Sequence, residues 1–494
     1  TFFGAGMAAD AFIVAFRIPN LLRDFFAENA LSASFIPVFV EKMQGGNRRD
    51  MWRFSNNLFN TLLIVVGVIV AAGVVFSPQV VSVIAGGYRS DPEKFNLTVR
   101  LTRILFPFLL FISLAAWSQG VLNAHDRFFL PAVSPAFFNL LSIAGALIAW
   151  RFAASLGLKY EIVGLAVGGM VGVFLQFLIP YIFVWGKGYR YRPYINWRSR
   201  ALGKVLRLWI PVVIGLGLFE IQAAVDTLLA TLLEEGSVSW LYYAYRIMHL
   251  PLAIFGAAVG TVSLPLFSRL REQGKFNEFA SSLKRSLRTV SVLLIPVALF
   301  MIAFSLPITR VIFQHMAFTP RDTSYTSQAL VFYVAGIWAA SSVRTLVPAF
   351  YAFRKPVVPM LVNLGSVILN ISMNLILAFV VFQVRQFRAF AIATTTCSFL
   401  SMIVLMIILK RRLPGWKALD HPLFGLRSAA AGFLAILPVY LSYRLYFINV
   451  VEGFWFALLM LAAAFAVFVL LYYIFARLFG IKEILTILKR HSRT

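Results

Sequence analysis

The stretch Ala15-Phe16-Arg17-Ile18, followed by Ser34-Phe35-Ile36-Pro37, occurs a second time in the same chain. About 229 residues later, Ala244-Tyr245-Arg246-Ile247 is followed by Ser263-Leu264-Pro265. Both copies run in the same direction along the chain. Parallel repeats of this kind, when they are made of membrane helices, are typical of transporters whose substrate passes between the two copies.

The composition indicates that the chain does consist of membrane helices. Its 494 residues are 60% hydrophobic and only 13% charged, with a mean hydropathy of +0.83. Apolar runs of about 20 residues are long enough to cross a bilayer as helices. We therefore expect an all-α polytopic membrane protein. About 13 such helices are visible, near residues 10–40, 57–85, 99–123, 131–156, 162–185, 205–233, 238–266, 286–313, 325–350, 356–381, 389–410, 426–448 and 453–479.

The repeat also predicts how these helices are organised. Two parallel six-helix repeats followed by two C-terminal helices would give about 14 helices. The counterpart of helix 205–233 would fall before residue 5, so we expect the first helix to be missing here. The predicted domains are an N-terminal half at 1–186, a basic cytoplasmic linker at 187–204, a C-terminal half at 205–412, and the last two helices with their tail at 413–494.

The formal net charge of +26 would suggest nucleic-acid binding in a soluble protein. Here the basic residues lie in short loops on alternate sides of the helices, which predicts a positive-inside topology and no nucleic-acid partner. The C-terminal tail lies on the basic side, so we expect it in the cytoplasm. The single cysteine, Cys397, excludes internal disulfides. Enzyme motifs such as a nucleophile elbow or an HExxH pair do not occur, so we expect a protein that is not an enzyme.

Helix 10–40 carries four charged residues, Arg17, Arg23, Asp24 and Glu28, in an otherwise apolar segment. Each charge at the middle of a membrane costs about 2.5–3.5 kcal/mol, so four charges facing lipid would be prohibitive. Helical spacing places Arg17, Asp24 and Glu28 on one face, with Arg23 at its edge. This polar face predicts either a water-filled cavity or arginine–acid pairs that only tie helices together.

The matching helix of the second half, 238–266, carries Ser239, Arg246 and His249. No carboxylate lies within a helical turn of Arg246, which makes it the stronger cavity candidate. His249 is either a proton switch or a histidine whose hydrogen bonds are satisfied between helices.

A second group of polar residues predicts a sodium site. Asp226 lies deep in helix 205–233, Asn370 and Asn374 are four residues apart, and Thr394 opens the next helix. Carboxylate, amide and hydroxyl oxygens together suit a hard monovalent cation such as Na⁺. The alternative is packing of membrane helices through asparagine hydrogen bonds. We expect no other cofactor.

Two long stretches resemble a known family. The segment from Gly4 to Arg23, continued by residues 26–28 and 34–37, and the segment from Gly236 to Arg246, continued by residues 260–265, resemble the MurJ (MviN) family. That family comprises bacterial lipid II flippases of the MOP exporter superfamily. The resemblance runs the length of the chain and implies a fold of fourteen helices in the bacterial cytoplasmic membrane.

The resemblance also implies roles for individual residues. Arg23 and Arg246 match essential arginines of the family's substrate cavity, while Asp10, Glu28 and Ser239 match further functional positions. The positions Asp226, Asn370, Asn374 and Thr394 resemble a sodium site found in some members. The chain departs from the family at Asp24, where a second arginine is usual, and at Tyr245 and His249, where acids occur.

These observations predict a lipid II flippase that works by alternating access through a cationic cavity. Arg23 and Arg246, with Arg17 beside them, would hold the diphosphate of the substrate. The resemblance implies that helices 426–448 and 453–479 form a groove for the lipid tail. We expect lipid II and membrane lipids as partners, cell-wall synthesis proteins as further candidates, and a monomer. The alternatives are a flippase for another polyprenyl-diphosphate oligosaccharide and a cation-coupled multidrug exporter.

Overall fold

A computed structural model describes residues 2–27, 29–152, 161–382, 386–411, 413, 416, 420–447 and 453–483. The described residues form helices joined by turns and by one longer linker between α9 and α10, with no strand among them. Ten of the helical segments within these ranges are long and apolar enough to cross a membrane. The prediction of an all-α polytopic membrane protein is therefore confirmed, whereas the count of about 13 spans stays a prediction.

The helices run as follows in chain order: α1 (Met7–Phe26), α2 (Asn29–Gln44), α3 (Arg48–Val75), α4 (Ser77–Ile84), α5 (Pro92–Leu105), α6 (Phe108–Ala124), α7 (Phe129–Val133), α8 (Pro135–Phe152), α9 (Ile162–Trp185), α10 (Arg200–Thr231), α11 (Ser237–Pro251), α12 (Ala257–Glu272), α13 (Phe276–Ala303), α14 (Ser305–Phe313), α15 (Pro320–Ala335), α16 (Ile337–Ala352), α17 (Val357–Ile376), α18 (Arg388–Lys410), α19 (Asp420–Ser442) and α20 (Phe454–Leu478). A 3₁₀ turn covers Gly86–Ser90, and π-helical segments cover Leu252–Gly256, Leu377–Val381 and Tyr443–Phe447.

Six of the predicted helices are each divided into two, so the prediction of their continuity was wrong; they are those predicted at 10–40, 57–85, 99–123, 131–156, 286–313 and 325–350. The segment predicted at 10–40 forms α1 and α2, because the backbone at Ala27 leaves helical geometry (φ −124°, ψ −87°). The segment predicted at 57–85 forms α3 and α4, which meet at Phe76. Pro78 sits in the first turn of α4, where its missing N–H costs nothing, and it pre-sets the start of a new helix.

The chain forms two compact units. The N-terminal unit comprises Gly6–Val238, and the C-terminal unit comprises Ser239–Thr494 together with Thr1–Ala5. Helix α10 belongs to the N-terminal unit, where it packs against α1 and α2. The predicted domain boundaries follow the sequence repeat rather than these contacts, and they stay a prediction.

Each unit has its own apolar core. In the N-terminal unit, Phe35, Phe39 and Trp117 are completely buried among α2, α3, α6 and α9. In the C-terminal unit, Phe267 and Phe350 are likewise buried, among α12, α13, α16 and α18. Burial of such large rings removes the most apolar area per residue and so fixes how the helices pack within each unit.

Helices α8 and α9 approach each other closely through glycines. A Cβ atom on Gly168 would lie 2.2 Å from the carbonyl oxygen of Leu141, and one on Gly145 would lie 2.3 Å from that of Gly164. Small residues at helix crossings let the two backbones come into contact, which is how membrane helices gain packing energy without a hydrophobic driving force. This pair therefore depends on glycine itself.

The basic linker is held against α3 by asparagine side chains. The amide of Asn57 donates to the carbonyl of Asn196 (2.9 Å) and accepts from its N–H (2.5 Å). Asn60 donates to the carbonyls of Arg192 (2.9 Å) and Tyr194 (3.2 Å). Asn56, also buried on α3, makes further bonds of the same kind. Although the linker lacks regular secondary structure, these hydrogen bonds satisfy several of its backbone groups and define its path along α3.

Candidate functional site

The polar face of α1 lies against α10 in the N-terminal unit. Arg17, which is half-buried, donates from Nε to the hydroxyl of Thr227 on α10 (3.2 Å). Arg23 Nη2 lies 3.6 Å from Asp24 Oδ1, and both side chains are about a quarter exposed. The predicted charged face is therefore partly paired within the protein. Glu28, which the sequence placed on the same face, lies outside the described residues.

An acid from α10 completes this group. Glu220 interacts electrostatically with Asp24, Arg17 and Arg23 of α1. Sequence reasoning did not single out Glu220. An acidic residue within a long apolar helix was a visible signal. Its partners, however, lie on another helix, which spacing along one helix does not reveal.

Asp10 has a structural position in the same unit. The residue is 1% exposed, and Oδ2 accepts from Lys94 Nζ of α5 (2.8 Å) and from the N–H of Gly236 (2.9 Å). Lys94 also lies over the ring of Tyr88, at 4.3 Å. Burial raises the pKa of Tyr88 well above its ordinary value, and the charge of Asp10 adds to this effect. Asp10 thus ties α1 to α5 and to the turn before α11.

The C-terminal unit holds a basic cluster. Arg246 on α11 is exposed, and it donates from Nε (3.1 Å) and Nη2 (2.7 Å) to the hydroxyl of Tyr242 one turn earlier. Both Arg246 and Arg344 of α16 act electrostatically on His249. Within the described residues, neither arginine has a carboxylate oxygen within 4.0 Å. Because Arg344 comes from a different helix, spacing along the chain did not reveal it.

Ser239, the remaining candidate of this unit, is completely buried at the start of α11. It lies one residue before Trp240, which donates from Nε1 to Asp322 Oδ1 (2.8 Å). The start of α11 is therefore fixed in the core of its unit, while Arg246, two turns further on, is exposed.

Three of the four predicted sodium ligands meet in the C-terminal unit. Asn374 Nδ2 donates to Asn370 Oδ1 (3.1 Å), and Asn370 Nδ2 lies 3.4 Å from Thr394 Oγ1. Both asparagines are buried. Asp226, the fourth, is half-buried on α10 of the other unit. In the ranges that the structure covers, no group of three or more His, Cys, Asp or Glu residues could hold a metal ion.

Comparison with known proteins identifies the family. The sequence model of the family described as "Lipid II flippase MurJ" matches residues 1–465. The chain belongs to the MurJ family. It is 32% identical over 409 residues to the "Probable lipid II flippase MurJ" of Vibrio cholerae, covering 81% of this chain and 76% of the relative. It is 32% identical over 450 residues to the lipid II flippase MurJ of Burkholderia cenocepacia, covering 87% and 84%.

Solved structures share the fold. A lipid II flippase MurJ in an inward closed conformation matches with a TM-score of 0.78 and 24% identity, covering 97% of this chain and 94% of that one. A multidrug MATE family transporter of the MOP superfamily, in its inward-facing conformation, matches with a TM-score of 0.68 and 14% identity, covering 83% and 91%. The resemblance to the MurJ family is confirmed, and with it a multi-pass protein of the bacterial inner membrane. The relatives are named as flippases and transporters rather than as enzymes.

Proposed function

We propose that this chain moves lipid II from the inner to the outer leaflet of the cytoplasmic membrane. The observation that carries the proposal is Arg246, an exposed guanidinium on a helix of a MurJ family protein, oriented by Tyr242 and with no carboxylate within 4.0 Å among the described residues. A charge of this kind is costly in a membrane unless it serves an anion or a water-filled cavity. The diphosphate of lipid II is such an anion, and guanidinium grips phosphate oxygens with two parallel hydrogen bonds.

The proposed mechanism is alternating access through a cationic cavity to which both halves contribute. Arg23 and Arg246 are the proposed diphosphate ligands, with Arg17 beside Arg23. Asp10 and Ser239 are buried, so their proposed contribution is to position the helices that carry the arginines rather than to touch the substrate. Glu28 is proposed to belong to the same polar face. Movement requires no covalent step, only a change in which side of the membrane the cavity faces.

The membrane potential is the proposed driving force. The substrate diphosphate carries about two negative charges, and the cell interior is negative. Outward movement of each uncompensated negative charge gains about 2.3 kcal/mol per 100 mV. Arginines that stay in the protein while the anion leaves preserve this gain.

Helices α19 and α20 are proposed to carry the polyprenyl tail. They pack against each other, and only 6% of the most apolar stretch of α20 is buried within the structure. An apolar helix surface so little covered by protein suits contact with a lipid chain. The basic C-terminal tail is proposed to lie in the cytoplasm. We also propose that the protein acts as a monomer alongside cell-wall synthesis proteins.

Sodium is proposed as a bound ion at Asp226, Asn370, Asn374 and Thr394. The hydrogen-bonded cluster of Asn370, Asn374 and Thr394 supports this by bringing amide and hydroxyl oxygens together on α17 and α18. Sodium should raise the melting temperature of the purified protein relative to potassium. Asn374→Ala should remove this difference. An equal melting temperature in both salts would exclude the ion site.

The function is tested by rescue of bacteria depleted of their own lipid II flippase. The full-length protein should restore growth and the appearance of lipid II in the outer leaflet, whereas Arg246→Ala should not. Arg269→Ala, which removes an exposed arginine near the end of α12, is the matched control and should rescue normally. Growth without lipid II export, or export unaffected by Arg246→Ala at normal expression, would contradict the proposal.

A further inference from the structure

A small cavity lies in the C-terminal unit where α13 meets the start of α19. Its volume is about 150 Å³, which is room for about five water molecules. The walls carry polar side chains from three segments: Lys284 and Arg288 of α13, Trp416 before α19, and Asp420 and His421 of α19. Among the described residues that line the cavity, none belongs to the proposed substrate site or sodium site.

Two ion pairs hold the walls of this cavity in place. Lys284 Nζ pairs with Asp420 Oδ2 (2.5 Å), and Arg288 Nη1 pairs with Glu483 Oε1 (2.7 Å). The guanidinium of Arg288 also lies over the ring of Phe424, at 4.7 Å. These contacts fix charges of both signs beside the cavity, so a ligand there meets cationic and anionic groups.

Three side-chain nitrogen atoms of the lining residues are buried and have no hydrogen-bond partner in the part of the chain that the structure describes. They are Arg288 Nε, Trp416 Nε1 and His421 Nδ1. Trp416 is 7% exposed and His421 is 4% exposed. Buried polar groups nearly always have a partner, because an unmade hydrogen bond costs the desolvation of the group. Three such atoms around one cavity indicate a ligand that supplies the partners.

The hydrogen bonds of His421 determine what its Nδ1 can do. Ser342 of α16 donates its hydroxyl hydrogen to the carbonyl of Trp338 (2.8 Å), so its oxygen accepts from His421 Nε2, which lies 3.0 Å away. With the hydrogen of a neutral ring on Nε2, Nδ1 is an acceptor. Arg288 Nε and Trp416 Nε1 can only donate. The ligand must therefore offer acceptor atoms to the two donors and an N–H or O–H group to the histidine.

The cavity lies at an end of the membrane spans. Helix α19 begins at Asp420, and α20 ends at Leu478, shortly before the Glu483 that pairs with α13. Large apolar side chains on the adjoining turns of these helices are exposed, namely Leu423 (56%), Leu426 (66%) and Leu478 (76%). Charged groups that border such an apolar surface lie at the depth of lipid headgroups, where pockets between membrane helices bind phosphate-bearing lipids.

We propose that this cavity binds the headgroup of a zwitterionic phospholipid with a primary ammonium group, as in phosphatidylethanolamine. Arg288 Nε and Trp416 Nε1 donate to the phosphate oxygens, and the ammonium donates to His421 Nδ1 beside the carboxylate of Asp420. The acyl chains lie along the exposed leucines of α19 and α20. This lipid is not the proposed substrate, so the inference does not depend on the proposed function.

The test titrates defined phospholipids onto the full-length protein in detergent and measures bound lipid by native mass spectrometry. Phosphatidylcholine is the matched lipid, because it has the same phosphate but its quaternary ammonium has no N–H. The unaltered protein should bind phosphatidylethanolamine about tenfold more tightly, the effect of one hydrogen bond to a charged group. Equal binding of the two lipids, or tighter binding of phosphatidylcholine, would overturn the proposal.

Two substitutions separate the phosphate contact from the ammonium contact. Trp416→Phe removes the N–H and should weaken binding of both lipids by about tenfold, so the preference between them stays. His421→Phe removes the acceptor and should abolish the preference. Trp455→Phe, which changes an exposed tryptophan at the opposite end of α20, is the matched control and should alter neither quantity. If the first two variants behave like the control, the cavity binds no lipid headgroup and the proposal is overturned.

Glycerophosphoethanolamine distinguishes a lipid from a soluble ligand. It carries the same phosphate and ammonium but lacks acyl chains, so it should not raise the melting temperature of the protein at concentrations at which phosphatidylethanolamine does. An equal rise with both compounds would overturn the assignment to a lipid. Melting of each variant without added lipid checks its folding, and the comparison of the two phospholipids on the unaltered protein decides the proposal if a variant does not fold.

Discussion

Replacing Asp10 by alanine should destabilise the N-terminal unit by about 3–5 kcal/mol, because Lys94 would keep its charge in a buried place without its carboxylate. Lys94 is 6% exposed and Asp10 is 1% exposed, so water cannot replace the lost partner without a rearrangement. The N–H of Gly236 would lose its acceptor as well. The ring of Tyr88, 4.3 Å from the ammonium, would remain and offset part of the loss.

The measurement is thermal unfolding of the purified protein. For a unit of this size, 1 kcal/mol corresponds to about 2–4 °C in melting temperature, so Asp10→Ala should lower it by roughly 6–20 °C. Asp50→Ala is the control, because the side chains of Asp50 and Lys42 are 48% and 35% exposed, and pairs this accessible to water contribute about 1 kcal/mol or less. The double variant Asp10→Ala with Lys94→Met should recover most of the loss, since no buried charge remains.

Two outcomes would refute this reasoning. The first is an Asp10→Ala protein that melts within a few degrees of the Asp50→Ala protein. The second is a double variant that is no more stable than Asp10→Ala alone, which would mean that the carboxylate acts through some contact other than Lys94. Lipid II export measured on the same variants separates stability from function, since the double variant should fold whether or not it transports.

Three further predictions follow from the geometry. Arg246→Lys should lose most of the activity in the lipid II export assay, because an ammonium group cannot form the two parallel hydrogen bonds that a guanidinium makes to phosphate. Tyr242→Phe should weaken export, because it removes the hydroxyl that orients the guanidinium of Arg246. Normal export by Arg246→Lys would contradict this reasoning. Gly168→Ala should lower the melting temperature, because the new Cβ would lie 2.2 Å from a carbonyl oxygen. Gly67→Ala is the control and should raise the melting temperature slightly, because a Cβ at Gly67 meets open space. Equal effects of the two substitutions would contradict the close α8–α9 contact. Asn57→Ala should cost about 1–3 kcal/mol and speed proteolysis of the linker, and an unchanged cleavage rate would show that the clamp does not restrain it.

Much of the fold could be predicted from the sequence because membrane helices depend on local composition. Apolar runs of sufficient length identified the helical class, and the residues around Arg17 and Arg246 identified the family. Continuity of the helices was less predictable. Hydropathy averages over a window and does not register a change of backbone direction at Ala27 or Phe76, although Pro78 was a visible signal for the second.

The site was predictable only where its residues are neighbours along one helix. Asn370 and Asn374 are four residues apart, which places them on one face of a helix, and in the structure their side chains form a hydrogen bond. In contrast, Lys94 pairs with an acid 84 positions away, and Glu220 interacts with Asp24 only because α10 packs against α1. Such contacts depend on tertiary packing, and the spacing of residues within a single helix does not predict them.

The asparagines of α3 change what the basic linker can be used for. A segment without regular secondary structure is usually a flexible linker, and a spectroscopic probe attached to it samples many positions. Here Asn57 and Asn60 fix the main chain of residues 192–196, so a spin label or fluorophore placed on that segment would move with α3. The linker thus offers a rigid attachment point from which the motion of the N-terminal unit can be followed during transport.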